Sequence, residues 1–149
     1  MATIEQIKQL REETGSSPVD IKKALDEAGG DFGKAKELLS LWGKKVVGKK
    51  ADREVKEGVV DFYVHPNAKS GVLLDIRCET DFVAKSPEFK TLAHEICLQI
   101  AALKAETIDS LLEQPWVKND SKTIKALIEE SISKIGEHIE IKQFSRFEI

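Results

Sequence analysis

The hydrophobic period of this chain first changes at Gly58, and that change limits the folds open to it. Up to residue 43 apolar residues recur at helical spacing. From Gly58 the runs VVDFYV and VLLDIRCE favour strands and are separated by the turn-rich HPNAKSG. Neither an all-helical bundle nor an all-β sandwich accommodates both halves. Between them, 44–57 is polar, lysine-rich and interrupted by Gly48, which suits a hinge or a solvated helix. Lys, Arg, Asp and Glu sum to −2 over 1–43, +4 over 44–56 and −5 over 57–149. With 149 residues there is room for two units at most. The expected organisation is a three-helix module over 1–43, a basic linker over 44–57 and an α+β core over 58–149.

Local signals divide each half further. Thr3 caps a first helix with Gln6 three residues on, and Ile4, Ile7 and Leu10 share a face that runs to Gly15. Ser17, Pro18 and Asp20 supply a cap, a first-turn proline and a first-turn acid for a second helix with the stripe Ile21, Ala24, Leu25, Ala28. Gly29-Gly30 stops it. Asp31 caps a third, whose residues Phe32, Ala35, Leu38, Leu39 and Trp42 end before Gly43.

In the core the two β runs form a hairpin. Val72, Leu74, Ile76 and Cys78 share one face of the second run, and Asp75, Arg77 and Glu79 share the other with Leu73. Ser86-Pro87-Glu88 opens a long helix through Phe89, Leu92, Ala93, Ile96, Ile100 and Leu103. A turn at Ile108–Leu112 stops before Pro115. Asp120 or Ser121 then caps a helix bearing Ile124, Leu127, Ile128, Ile132 and Ile135, and the period-two tail from Ile139 and Ile141 makes a third strand. The result is a three-stranded antiparallel sheet on helices, with one face short of cover and open to a partner or a second copy.

The chemistry this chain lacks narrows its function. It has no glycine-rich phosphate loop, no nucleophile elbow, no HExxH and no carboxylate pair at a spacing that forces them together. Cys78 and Cys97 form no CxxC and read as buried thiols; with His65, His94 and His138 they offer no zinc spacing, so no metal and no cofactor are expected. His65 precedes a proline in a turn, His94 lies in a helical pattern and His138 follows a helix stop; exposed or structural roles are favoured for all three over proton transfer. The joint Lys44–Lys56 contains no aromatic residue to stack on bases, so a solvated linker is favoured over a phosphate strip of Lys49, Lys50 and Arg53, and no nucleic acid is expected. No apolar run is long enough for a membrane span, and the opening MATIEQIKQLREE lacks a signal-peptide pattern, so the expected location is the cytoplasm. One oddity remains, Thr80-Asp81-Phe82 between a strand and a helix cap. The ring either probes an apolar pocket on a partner while the carboxylate meets a donor, or folds back on its own core.

Four segments together resemble a known family. LREETGSSPVDIKKALDEAGGDFGKAKELL (10–39), KKADREVKEG (49–58), ETDFVAKSPEF (79–89) and KIGEHIEIKQF (134–144) are similar, in this order, to bacterial elongation factor Ts, the guanine-nucleotide exchange factor of elongation factor Tu. The resemblance implies that the first module is related to ubiquitin-associated domains. It implies that Thr80, Asp81, Phe82 and Val83 form the exchange loop, with the ring entering the partner's G domain near its magnesium site. Leu10, Pro18 and Val19 would meet a G-domain helix, although Ser17-Pro18-Val19 stands where the family usually has Gly-Met-Met. Tyr63 and His65 match a Tyr-x-His that reaches the phosphate-loop side. The chain has room for one core where longer members have two, which implies a homodimer whose second subunit supplies Tyr63 and His65. The competing readings are an adaptor for ubiquitin-like or peptide partners built on 1–43 alone, and an RNA-binding accessory factor using Lys44–Lys56.

Overall fold

A computed structural model describes residues 2–149, and the chain divides into two units between Ala51 and Asp52. In the first, α1 (Ile4–Thr14), α2 (Pro18–Glu27) and α3 (Phe32–Lys50) begin where the local chemistry directs. Thr3 and Gln6 form a reciprocal capping box, Ser17 Oγ accepts from the Asp20 N–H ahead of Pro18, and an Asp31 carboxylate oxygen accepts from the Lys34 N–H. Leu10, Ile21, Ala24, Leu25, Ala35 and Leu39 form the core of this unit, with Phe32, Leu38 and Trp42 packed around it. Each large aliphatic side chain buried there contributes about 1.5–3 kcal/mol.

The third helix differs from expectation, because it passes through Gly43 and Gly48 and ends at Lys50. An interior glycine costs a helix only about 1 kcal/mol, and the lysines beside it are good helix formers whose charge suits a C-terminal turn. The basic stretch is therefore helical as far as Lys50.

The second unit runs β1 (Glu57–Val64), β2 (Ser70–Cys78), α4 (Asp81–Ala84), α5 (Pro87–Leu103), α6 (Ile108–Glu113), β3 (Pro115–Trp116), β4 (Asn119–Thr123), α7 (Ile124–Ile135) and β5 (Glu140–Glu148). The main sheet is antiparallel in the order β1-β2-β5, so the α+β class and its three strands are as expected. Val72, Leu74, Ile76 and Cys78 on β2 are buried against α5, whose Phe89, Leu92, Ala93, Ile96, Cys97 and Ile100 form the facing stripe. Ile124, Ile128 and Ile132 of α7 extend that core. The opposite sheet face carries Val60, Phe62, Val64, Leu73 and Phe147, all more than half exposed. Among the described residues no helix is long and apolar enough to cross a membrane.

The β3–β4 hairpin is absent from the sequence expectation, which placed a helix cap at Asp120 or Ser121; Thr123 is the cap. The correction has a long-range cause in Gln99, which is fully buried on α5. Its amide donates to the Gln114 side chain (3.1 Å) and to Pro115 O (3.0 Å), and its carbonyl accepts from the Val117 N–H (2.9 Å). These bonds pin the hairpin and move the helix start two or three residues later. Asn119 Oδ1 accepts from the Ser121 N–H and hydroxyl, a local turn within β4.

Gly58 stands opposite Arg77 in the β1–β2 ladder. A Cβ there would stand 2.1 Å from Ile76 O and 2.9 Å from Arg77 Cα, both rigid backbone atoms. We expect Gly58→Ala to destabilise the second unit by about 3 kcal/mol or more, read as a lower urea midpoint, because an overfilled site in a paired strand relaxes only by breaking the ladder.

Candidate functional site

Phe82 is 90% exposed on a short turn that is otherwise tightly held. The loop expected at Thr80-Asp81-Phe82 is a single helical turn, Asp81–Ala84, with Thr80 as its N-cap. Thr80 Oγ1 accepts from the Val83 N–H, Thr80 O accepts from the Ala84 N–H (3.1 Å), and Ala84 is buried. A second cap follows directly: Ser86 Oγ accepts from the Phe89 N–H (3.3 Å), and the Phe89 ring is fully buried. The turn is thus anchored at both ends and leaves one ring in solvent. Val83 is half-buried, and Asp81 pairs with Lys85 at 2.8 Å, one turn on. Both are exposed, so the pair holds the carboxylate only loosely, although it raises the Lys85 ammonium above its ordinary value.

The bracing comes from a residue that local sequence does not mark. β2 ends at Cys78, so the Glu79 and Thr80 N–H groups have no ladder partner. Glu137 Oε1 accepts from both, at 3.1 and 2.9 Å, and Glu137 Oε2 accepts from the Thr80 hydroxyl at 2.7 Å. In return Glu79 Oε2 accepts from the His138 N–H at 2.6 Å. Arg53 Nη1 stands 3.6 Å from the other Glu79 oxygen. Nothing at Glu137 signals this, because its partners lie 57 and 58 residues away.

The other expected contacts fall elsewhere. Tyr63 packs edge-on to His65 and to His94, with ring centroids 6.4 Å apart in each case. His65 Nδ1 accepts from the Asn67 N–H (3.3 Å), which leaves Nε2 to carry the proton of the neutral ring. His94 Nδ1 lies 3.6 Å from Asp61. Tyr63 is opposite Val72 in the ladder, six residues from the Cys78 end where the Phe82 turn begins, so the two sets occupy opposite ends of the hairpin, roughly 20 Å apart. In the helical unit Pro18 and Val19 are exposed, Val19 by 77%. Leu10 is fully buried in its own core, so its expected contact with a partner is corrected to a structural role. Among the described residues no cluster of three or more His, Cys, Asp or Glu is placed to hold a metal.

Comparison with known proteins gives one consistent answer. The model of the family described as Elongation factor TS matches residues 79–149, which includes the Phe82 turn, Glu137 and β5. Elongation factor Ts of Carboxydothermus hydrogenoformans is 39% identical over all of this chain and 89% of its own length. That of Rubrobacter xylanophilus is 35% identical over the whole of both chains, and that of Thermotoga petrophila 39% over 99% of this chain and 96% of its own. These alignments extend over 190 to 195 positions against 149 residues, so the relatives carry residues at positions this chain lacks.

Both thiols are buried and unpaired. Burial is the main cause that pushes Cys78 from 9.0 up to about 11, with the Glu137 carboxylate second, and Cys97 up to about 12. Each thiol therefore stays protonated in the folded protein at a pH where the unfolded chain ionises it. The stability this represents is fully present below about pH 9 and is lost as pH rises through 11 to 12. We expect neither cysteine to react with a thiol reagent at pH 8 until denaturant is added, and the urea midpoint to fall between pH 9 and 11.

Proposed function

The chain belongs to the elongation factor Ts family, and from that premise we propose that it releases GDP from elongation factor Tu by inserting the Asp81-Phe82 turn near the magnesium and phosphate region of the G domain. The observation that carries this reading is the exposure of Phe82 on a turn fixed at both ends. An exposed Phe forgoes about 1.5–3 kcal/mol of burial in the free protein, and a pocket on a partner returns it. Because the turn is already ordered, binding loses little further entropy. Asp81 meets a donor on the G domain once it leaves Lys85, and Thr80 and Val83 complete the contact.

Exchange follows from linkage and needs neither covalent chemistry nor a cofactor. A factor that binds the nucleotide-free GTPase more tightly than its GDP form weakens GDP by the same factor that GDP weakens it. The cytoplasm is the fitting location for such a protein.

The open sheet face favours a homodimer. Val60, Phe62, Val64, Leu73 and Phe147 form an apolar patch at the hairpin end of the sheet, and a second copy of the same face covers it with two-fold symmetry. Separation of Phe82 from Tyr63 and His65 by most of the hairpin agrees with this, since one subunit supplies the ring and the other the Tyr-x-His. Pro18 and Val19 add a contact from the helical unit, with proline stiffer and shorter than the methionine usual there.

The decisive experiment follows release of a fluorescent GDP analogue from elongation factor Tu. We expect the wild type to accelerate release and Phe82→Ala to be slower by at least roughly tenfold, the cost of about 1.4 kcal/mol at a buried aromatic anchor. Unchanged release in Phe82→Ala, with all binding retained by residues 1–43, moves the adaptor reading to first place. In sedimentation, Phe62→Glu is expected to behave as a monomer where the wild type is dimeric, and a dimer that persists in the variant places the contact elsewhere.

A further inference from the structure

We propose that Glu137 is a positioning residue for exchange, acting through Thr80 to set the direction in which Phe82 leaves the surface. The inference rests on the reading that Phe82 drives nucleotide release. Glu137 lies at the α7–β5 junction, just past the left-handed Gly136 cap, and touches no residue of the expected partner contact except Thr80.

Three features make the contact directive rather than merely cohesive. First, the carboxylate grips consecutive N–H groups with one oxygen and the Thr80 hydroxyl with the other, so it fixes both the backbone and the side chain of a single residue. Charge-assisted bonds of this kind are stronger than neutral ones. Second, a hydroxyl that donates to Glu137 keeps its lone pairs for the Val83 N–H, so clamp and cap meet at one oxygen and orient it together. Third, the reverse bond from the His138 N–H to Glu79 locks the same two segments from the other side, and Arg53 offsets the charge the two carboxylates bring together. Lys85 pairs with Asp81, not with this clamp.

Removal of the Glu137 carboxylate leaves two N–H groups and one hydroxyl without their acceptor, and Phe82 then samples directions that miss the pocket. In Glu137→Gln the side-chain carbonyl can still accept from both N–H groups and the amide can donate to Thr80 Oγ1, so geometry survives without the charge.

The test is a double-mutant cycle with fluorescent GDP on elongation factor Tu. It uses the full chain as wild type, Glu137→Ala and Glu137→Gln, each with Phe82 and with Phe82→Ala, and thermal unfolding is followed in parallel. The expected result is release slowed roughly five- to thirty-fold by Glu137→Ala, corresponding to the loss of one or two kcal/mol of orientation. Glu137→Gln should stay within about threefold of wild type, with charge-assisted bonds about twice the strength of neutral ones. In the Phe82→Ala background Glu137→Ala should cost nothing further. A merely structural role predicts instead that the two losses multiply. Multiplied losses, or full activity in Glu137→Ala, overturn the proposal while the exchange reading stands. Unchanged release in Phe82→Ala alone overturns the exchange reading and this proposal with it. If Glu137→Ala does not fold, the cycle is run with Glu137→Asp, which draws the carboxylate back by one methylene and loosens the clamp, and the same two outcomes decide.

Discussion

The second unit depends on β2 being the middle strand. Its inner face meets α5, its two edges pair with β1 and β5, and its last residue delivers the chain into the Phe82 turn. A one-residue slip of β2 would bring Leu73, Asp75 and Arg77 inward and turn Val72, Leu74, Ile76 and Cys78 out to solvent. The register is therefore fixed by four buried side chains. The turn and the Tyr63–His65 end inherit their separation from it.

Where the chemistry of a residue is decided by its neighbours in sequence, it was legible. The caps at Thr3, Ser17, Asp31 and Ser86, the alternation along β2 and the period of α5 all follow from residues within four positions of one another. The features that were not legible are made by long-range contacts. Gln99 pins β3 and β4 from fifteen to eighteen residues away, and Glu137 reaches across nearly sixty. A glutamine on the apolar face of a helix was the available sign of the first; a glutamate after a helix stop gives no such sign of the second. Of the candidate site, Phe82 stood out as an aromatic beside an acid, but the sequence left open whether it faces out or in. For Leu10 the partner contact came from the resemblance alone, whereas its i, i+3 spacing marks a buried face, and the helical module itself supplies the cover.

The site joins two requirements that usually conflict. An aromatic anchor must be free to enter a partner, yet a loose loop would lose much of the gain as ordering entropy. Here the backbone is ordered by two carboxylates and two caps, and only the ring is left unsatisfied. The same economy shows on the outer sheet face, where Arg77 and Asp75 pair toward the Cys78 end, Val60 sits opposite Asp75, and Phe62, Val64, Leu73 and Phe147 gather at the other end.

The separation of β2 from β5 along the chain also orders events in time. The β1–β2 hairpin closes over a short turn, but β5 joins β2 only after the intervening segment from 79 to 139 has been made and looped back. Until then one edge of β2 is open and Glu137 is absent from Thr80. During synthesis the hairpin is thus exposed to pairing with other nascent chains, and the Phe82 turn gains its brace among the last contacts to form. A ribosome that stalls within α7 would release a chain with a collapsed hairpin and an unbraced anchor, a substrate for chaperones rather than a working factor.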